Sequence, residues 1–146
     1  MEESLSNIGW RVMLTMGMYT FVISLLWIFV TEIMFVSDFE AYVEIPYSDY
    51  PDVNMATFYI ITKKMIGIML CAIAISIVII THYGYKKGEK WAWYTLLVVG
   101  GIPWITFIAY KIIIGYIGVS MITFALGATL YAVGITLPAK EILGKK

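Results

Sequence analysis

Long apolar runs separated by short polar stretches dominate the chain, and the length of those runs is its most informative feature. A helix needs about 20 mostly apolar residues to cross a hydrocarbon layer about 30 Å thick, because each residue rises about 1.5 Å. Four segments qualify: 10–36, 56–81 with its uncharged stretch at 65–81, 91–114 and 118–137. Pro138 and then Lys140 mark the exit from the last, since proline ends a helix readily and a cation suits its C-terminal end. Between the spans lie an outer loop at 37–55, an inner loop at 82–90 and the turn Gly115-Tyr116-Ile117-Gly118, so short that the third and fourth spans must form an antiparallel hairpin. The pattern predicts an all-α protein, a four-helix transmembrane bundle in which residues 1–146 form a single integral membrane domain. The first run is long enough to span and is followed by no clear small-residue cleavage site, so it reads as a span rather than a signal peptide. Pro103, preceded by Gly100 and Gly101, removes an amide donor from the third span and predicts a kink near Leu97 to Val99.

Composition agrees: 61% of the residues are hydrophobic and 14% charged, against about 45–50% and about 25% in ordinary soluble domains. The surrounding lipid bilayer of the cell membrane is therefore the first expected partner. Ten Lys and Arg balance ten Asp and Glu, which removes the basic field that nucleic-acid binding requires. One Cys and one His exclude an internal disulfide, a Cys/His zinc site and bis-histidine haem, and no cofactor or metal is expected.

Charge also orients the chain. Arg11 precedes the first span, Lys86, Lys87 and Lys90 lie between the second and third, and Lys140, Lys145 and Lys146 form the tail; four crossings put all of them on one side, so both termini are expected in the cytoplasm. Asp38, Glu40, Glu44, Asp49 and Asp52 give the 37–55 connection an acidic, outward-facing character, and its prolines argue against a long helix there. Interfacial aromatic residues form two belts, Trp10, Tyr83, Tyr85, Trp91, Trp93 and Tyr94 inside and Phe35, Tyr59, Tyr110 and Tyr116 outside.

Ionisable residues within the spans are the best functional candidates, because charge in the hydrocarbon is costly unless paired or led to water. Glu32 lies about one turn inside the outer end of the first span, Lys111 about one turn inside that of the third, and Lys63 and Lys64 about two turns into the second. A pair between Glu32 and one lysine would form an anion-binding or proton-relay pocket; neighbouring residues point about 100° apart on a helix, so only one of Lys63 and Lys64 can face it. The bland alternative is that the lysines snorkel to the interface.

Gly67 with Cys71, Ala72 with Ser76, and Ala128 with Ala132 are small residues spaced for close helix approach, within the bundle or onto a partner. Tyr42, Tyr47 and Tyr50 make the outer loop a second candidate interface, and its carboxylates a weak candidate for a divalent cation, although no Asp-x-Asp-x-Asp-Gly pattern is present. Met65 and Met69, with Cys71 nearby, have the softness Cu(I) prefers, but without a His partner they read as packing residues. His82, at the inner end of the second span, reads as an interfacial hydrogen-bonding group rather than a proton shuttle.

The stretch Lys86-Lys87-Gly88-Glu89-Lys90-Trp91-Ala92-Trp93-Tyr94 resembles the Gly-Glu-Lys-Trp-Ala-Trp-Tyr signature of small, uncharacterised four-span membrane proteins common in archaea, and Gly9-Trp10-Arg11-Val12-Met13 resembles their start. The resemblance implies a compact four-helix membrane protein and carries no catalytic residues. Its signature works as a topology lock: the lysines hold the loop inside, Gly88 allows the turn, Glu89 suits the next helix's positive N-terminus, and Trp91, Trp93 and Tyr94 fix its depth. The company it implies suggests a non-catalytic accessory or structural subunit, packed against other membrane subunits or as a homo-oligomer, in an assembly such as an archaeal ammonia monooxygenase or a respiratory complex. The alternative is a small transporter or channel working through the outer-leaflet Glu/Lys cluster.

Overall fold

Helix ends in this chain are set by local chemistry at recognisable residues. Asp52 precedes the helix Val53–Tyr83 and accepts a hydrogen bond from the amide of Met55 at 3.1 Å, satisfying one of the donors a helix start leaves free. Gly88 closes the connection before the helix Lys90–Ile114 at φ 71, in the left-handed region where a glycine carries no steric penalty. A computed structural model describes residues 5–115 and 118–144 of the chain. It contains α1 (Leu5–Phe29), α2 (Thr31–Val43), α3 (Val53–Tyr83), α4 (Lys90–Ile114), α5 (Val119–Thr136) and α6 (Ala139–Leu143), with short 3-10 turns at Tyr47–Asp49 and Tyr85–Lys87. Among the described residues there is no strand, and four of the helical segments are long and apolar enough to cross a membrane. The turn residues Tyr116 and Ile117 and the tail cations Lys145 and Lys146 lie outside the described residues.

The first span is two helices end to end. Val30 leaves helical geometry at φ −127, ψ 27, yet its amide still bonds the Leu26 carbonyl at 2.8 Å. The hydroxyl of Thr31 donates to the Trp27 carbonyl, a side-chain competitor for the backbone ladder that commonly bends helices. The expected loop at 37–55 is correspondingly shorter: α2 continues to Val43, and Pro46 and Pro51 confine the break to the segment before Val53. In the third span, α4 runs helical through Pro103, from Lys90 to Ile114.

Helix α1 packs chiefly against α3 and α5, and α4 closes the bundle against α5 and α3. Between α4 and α5 the fit is ring into notch. Trp104 fills the space where a Gly127 side chain would stand, and the Tyr131 ring lies over Gly100 and Gly101, its hydroxyl donating to the Leu97 carbonyl at 2.8 Å. The core is aromatic at its centre: Trp27 meets Phe35 edge-on at 4.5 Å between centroids, and Phe107 stacks on Phe124 at 5.0 Å. Large apolar side chains such as Phe29, Ile33, Ile105 and Ile112 face outward, as they would toward lipid.

The first and last described helices, α1 and α6, meet at one end of the bundle. The carboxylate of Glu141 on α6 accepts from the Leu5 amide at 3.1 Å and the Ser6 amide at 2.8 Å, at the positive N-terminus of α1. The 82–90 connection joins them there, where the buried Tyr85 hydroxyl donates to the Gly134 carbonyl at 2.7 Å and Trp93 Nε1 to the Ile135 carbonyl at 2.9 Å. In the signature stretch, Lys86 lies over the Trp10 ring at 4.7 Å, Lys87 and Lys90 are exposed, Trp91 Nε1 donates to the Glu89 carboxylate, and Tyr94 stacks edge-on against Trp93.

Candidate functional site

At the opposite end, all four spans contribute to one cluster of polar side chains. Lys111, in the last turn of α4, and Ser120, in the first turn of α5, face each other across the hairpin. Between them stands Asp38 of α2. Lys111 Nζ donates to Asp38 Oδ1 at 2.7 Å, and Ser120 Oγ lies 3.1 and 3.2 Å from the two carboxylate oxygens. The placement suits both charges electrostatically, since a cation is favoured at a helix C-terminus and an anion at an N-terminus. The ion pair is closed to solvent, with side-chain exposures of 1% for Lys111 and 0% for Asp38.

Lys63 of α3 comes to the same cluster by a different device. It is 7% exposed, and its ammonium lies 3.8 Å from the ring centroid of Tyr110, 5.0 Å from Tyr59 and 5.2 Å from Phe35. Three ring faces attract the cation through their quadrupoles. The cage is held by its own hydrogen bonds: the Tyr59 and Tyr110 hydroxyls are 3.2 Å apart, and the Tyr59 hydroxyl also donates to the Phe35 carbonyl at 3.4 Å. Among the described residues no carboxylate forms an ion pair with Lys63. Lys63 and Asp38 instead line a cleft of about 520 Å³, walled chiefly by aromatic and aliphatic side chains including Phe39, Tyr42, Tyr50, Phe58 and Ile113.

Two of the four charged residues singled out from the sequence, Lys63 and Lys111, therefore meet, and Glu32 does not join them. Glu32 is exposed on α2, and the carboxylate that pairs with Lys111 is Asp38, less than two turns further along. Lys64, one position round the helix, is only half-buried. Neither buried lysine snorkels to solvent. Asp38, Ser120, Tyr59 and Tyr110 were not read from the sequence as members of this cluster. A signal for Asp38 exists: Trp27, Thr31, Phe35, Asp38 and Phe39 recur at helical spacing and are all buried, so the carboxylate sits on the core stripe of its helix.

The other candidates separate by face. Gly67 is inside the bundle, where an added Cβ would fall 2.8 Å from Trp27 Cβ, so it serves the α1–α3 contact and not an external interface. Cys71 and Ala128 are half-buried, while Ala72, Ser76 and Ala132 face outward. Tyr47 and Tyr50 fold back onto Phe39, at 5.5 and 5.0 Å between centroids, leaving Tyr42 as the exposed ring of the three. Met65 and Met69 are exposed, as is His82, and among the described residues no three His, Cys, Asp or Glu side chains converge on a metal position. Comparison of the chain with protein families, with curated proteins and with solved structures finds no match.

Proposed function

We propose that this is a multi-pass protein of the cell membrane that binds an anionic group in the cleft at the outer end of its bundle, a non-catalytic binding element of the transporter or channel kind. The observation that carries this reading is Lys63: a cation in a mostly apolar segment, 93% removed from solvent, held by rings and directed into a cleft. An intramembrane ionisable group is expensive to keep, and such groups mark binding or transport routes. The cleft's volume falls within the range of about 300–1,000 Å³ typical of small-ligand pockets. Asp38, which lines the cleft, is already engaged by Lys111 and Ser120, so the anion is left to Lys63. The bundle's positive loop and tail lie on the cytoplasmic side in this reading, and the cleft opens to the outside.

Equilibrium dialysis of the detergent-purified protein against radiolabelled octanoate and inorganic phosphate tests it. At least one anion should bind saturably, and Lys63→Met, which keeps the aliphatic stem, should weaken that binding about tenfold or more. Lys63-independent binding, or none, overturns the reading.

The accessory-subunit expectation draws on a different observation. Ala72, Ser76 and Ala132 present small side chains on outward faces of α3 and α5, which lets another helix approach closely. Native mass spectrometry in mild detergent tests it: a fixed-stoichiometry assembly is expected, and a lone monomer at every detergent concentration rejects it.

A further inference from the structure

Lys63 stands between two volumes. On one side is the 520 Å³ cleft; on the other, further along α3, is a groove of about 290 Å³ between α3 and α4. The groove is apolar, walled by Trp27, Ile66, Met69, Leu70, Ile73 and Phe107, and Lys63 is part of its wall as well. A small inorganic anion would use the ammonium and leave the groove unfilled. An amphiphile would use both, its head at Lys63 and its chain along the groove, where covering apolar surface contributes roughly 25 cal/mol per Å².

Charge narrows the head. Lys63 and Lys111 bring two positive charges to the cluster and Asp38 one negative, so a single negative charge on the ligand neutralises it. A dianion would leave an uncompensated charge in a low-dielectric site, which is costly. A groove of about 290 Å³ has room alongside the head for one chain and not for two.

We infer that the ligand is a long-chain carboxylate, a monoanionic single-chain amphiphile that reaches Lys63 from the lipid layer between α3 and α4. This rests on the anion-binding reading above and specifies its substrate class. The carboxylate accepts hydrogen bonds from the Lys63 ammonium, and the first methylenes pass the Tyr110 and Phe107 rings into the groove.

The test uses the full chain in nanodiscs of zwitterionic lipid, with three radiolabelled probes: hexadecanoate, hexadecanol and acetate. Hexadecanoate should bind saturably, about one per chain, and about tenfold or more tighter than either hexadecanol, which lacks the charge, or acetate, which lacks the chain. Lys63→Met should bring hexadecanoate down to the level of hexadecanol. Ile73→Trp, which fills the groove without touching the charges, should weaken hexadecanoate while leaving acetate binding unchanged; a folded-state check by thermal melting accompanies both variants. If acetate binds as tightly as hexadecanoate and depends on Lys63, the long-chain inference is overturned while the anion site stands. If hexadecanol matches hexadecanoate in the unaltered protein, the carboxylate assignment fails. If no anion depends on Lys63, both fall together.

Discussion

Lys111 and Asp38 are 73 positions apart in the chain, yet the ammonium of one donates to the carboxylate of the other at 2.7 Å with neither side chain open to solvent. The pair ties the end of α4 to the end of the first span, and Ser120 adds the start of α5 to the same carboxylate. A charge in such a place costs several kcal/mol of desolvation, and the partner offsets that cost only while both are present.

Removing one member should therefore hurt more than removing both. Asp38→Asn or Lys111→Met alone leaves an unbalanced buried group and is expected to destabilise the bundle by about 3–5 kcal/mol, whereas Asp38→Asn combined with Lys111→Met should recover a large part of the loss. Reversible unfolding in mixed micelles, followed by tryptophan fluorescence, measures all three; strictly additive losses would show that the two residues do not act on each other.

The α4–α5 contact makes a steric prediction. A methyl group at Gly127 would overlap the Trp104 ring, and overpacking of this kind costs about 1–3 kcal/mol. Gly127→Ala should lower the melting temperature, and adding Trp104→Leu should restore part of it by vacating the notch. A Gly127→Ala protein as stable as the parent would mean that the ring does not occupy that space.

The four long apolar helices were legible because their signal is summed over some twenty residues each, and no single misreading can erase it. The cluster was half legible for the opposite reason. Lys63 and Lys111 stand out as charges inside apolar runs, but Asp38 lies beside Glu40 and Glu44 in a stretch whose carboxylates and nearby prolines give it the look of a loop. What decides the matter is tertiary: α2 continues past Asp38 and Glu40 to Val43 because Phe35, Asp38 and Phe39 are covered by the rest of the bundle, and Asp38 has a lysine waiting. Ser120 carried no signal, since a serine at a helix start is ordinary until something stands opposite it. Depth along the helix does not fix the face: Glu32 lies near the depth of the lysines but is exposed, off the stripe that buried Thr31 and Phe35 define.

Topology can be read directly. Asp49 lies in the connection between α2 and α3, and Lys87 in the connection between α3 and α4, at opposite ends of a 31-residue helix. In a background with Cys71→Ala, Asp49→Cys and Lys87→Cys should react with a membrane-impermeant maleimide from opposite sides of sealed vesicles, Asp49→Cys from the outside. Labelling of both from the same side is incompatible with α3 as a span.

The contact between α6 and the start of α1 provides the last prediction. Glu141 holds the first free amides of α1, those of Leu5 and Ser6, from a helix more than 130 positions away. A carboxylate at a helix N-terminus stabilises it through both hydrogen bonds and the helix dipole, by about 1 kcal/mol. Glu141→Ala should therefore loosen the start of α1 locally, without disturbing the Asp38–Lys111 pair at the other end of the bundle. Hydrogen exchange resolves this: amides in the first turn of α1 should exchange about fivefold faster, as a loss of about 1 kcal/mol requires, while those around Lys111 keep their protection. Equal acceleration at both ends would mean that Glu141 supports the whole bundle and not only the helix start it touches, and unchanged exchange at Leu5 and Ser6 would mean that the contact contributes nothing.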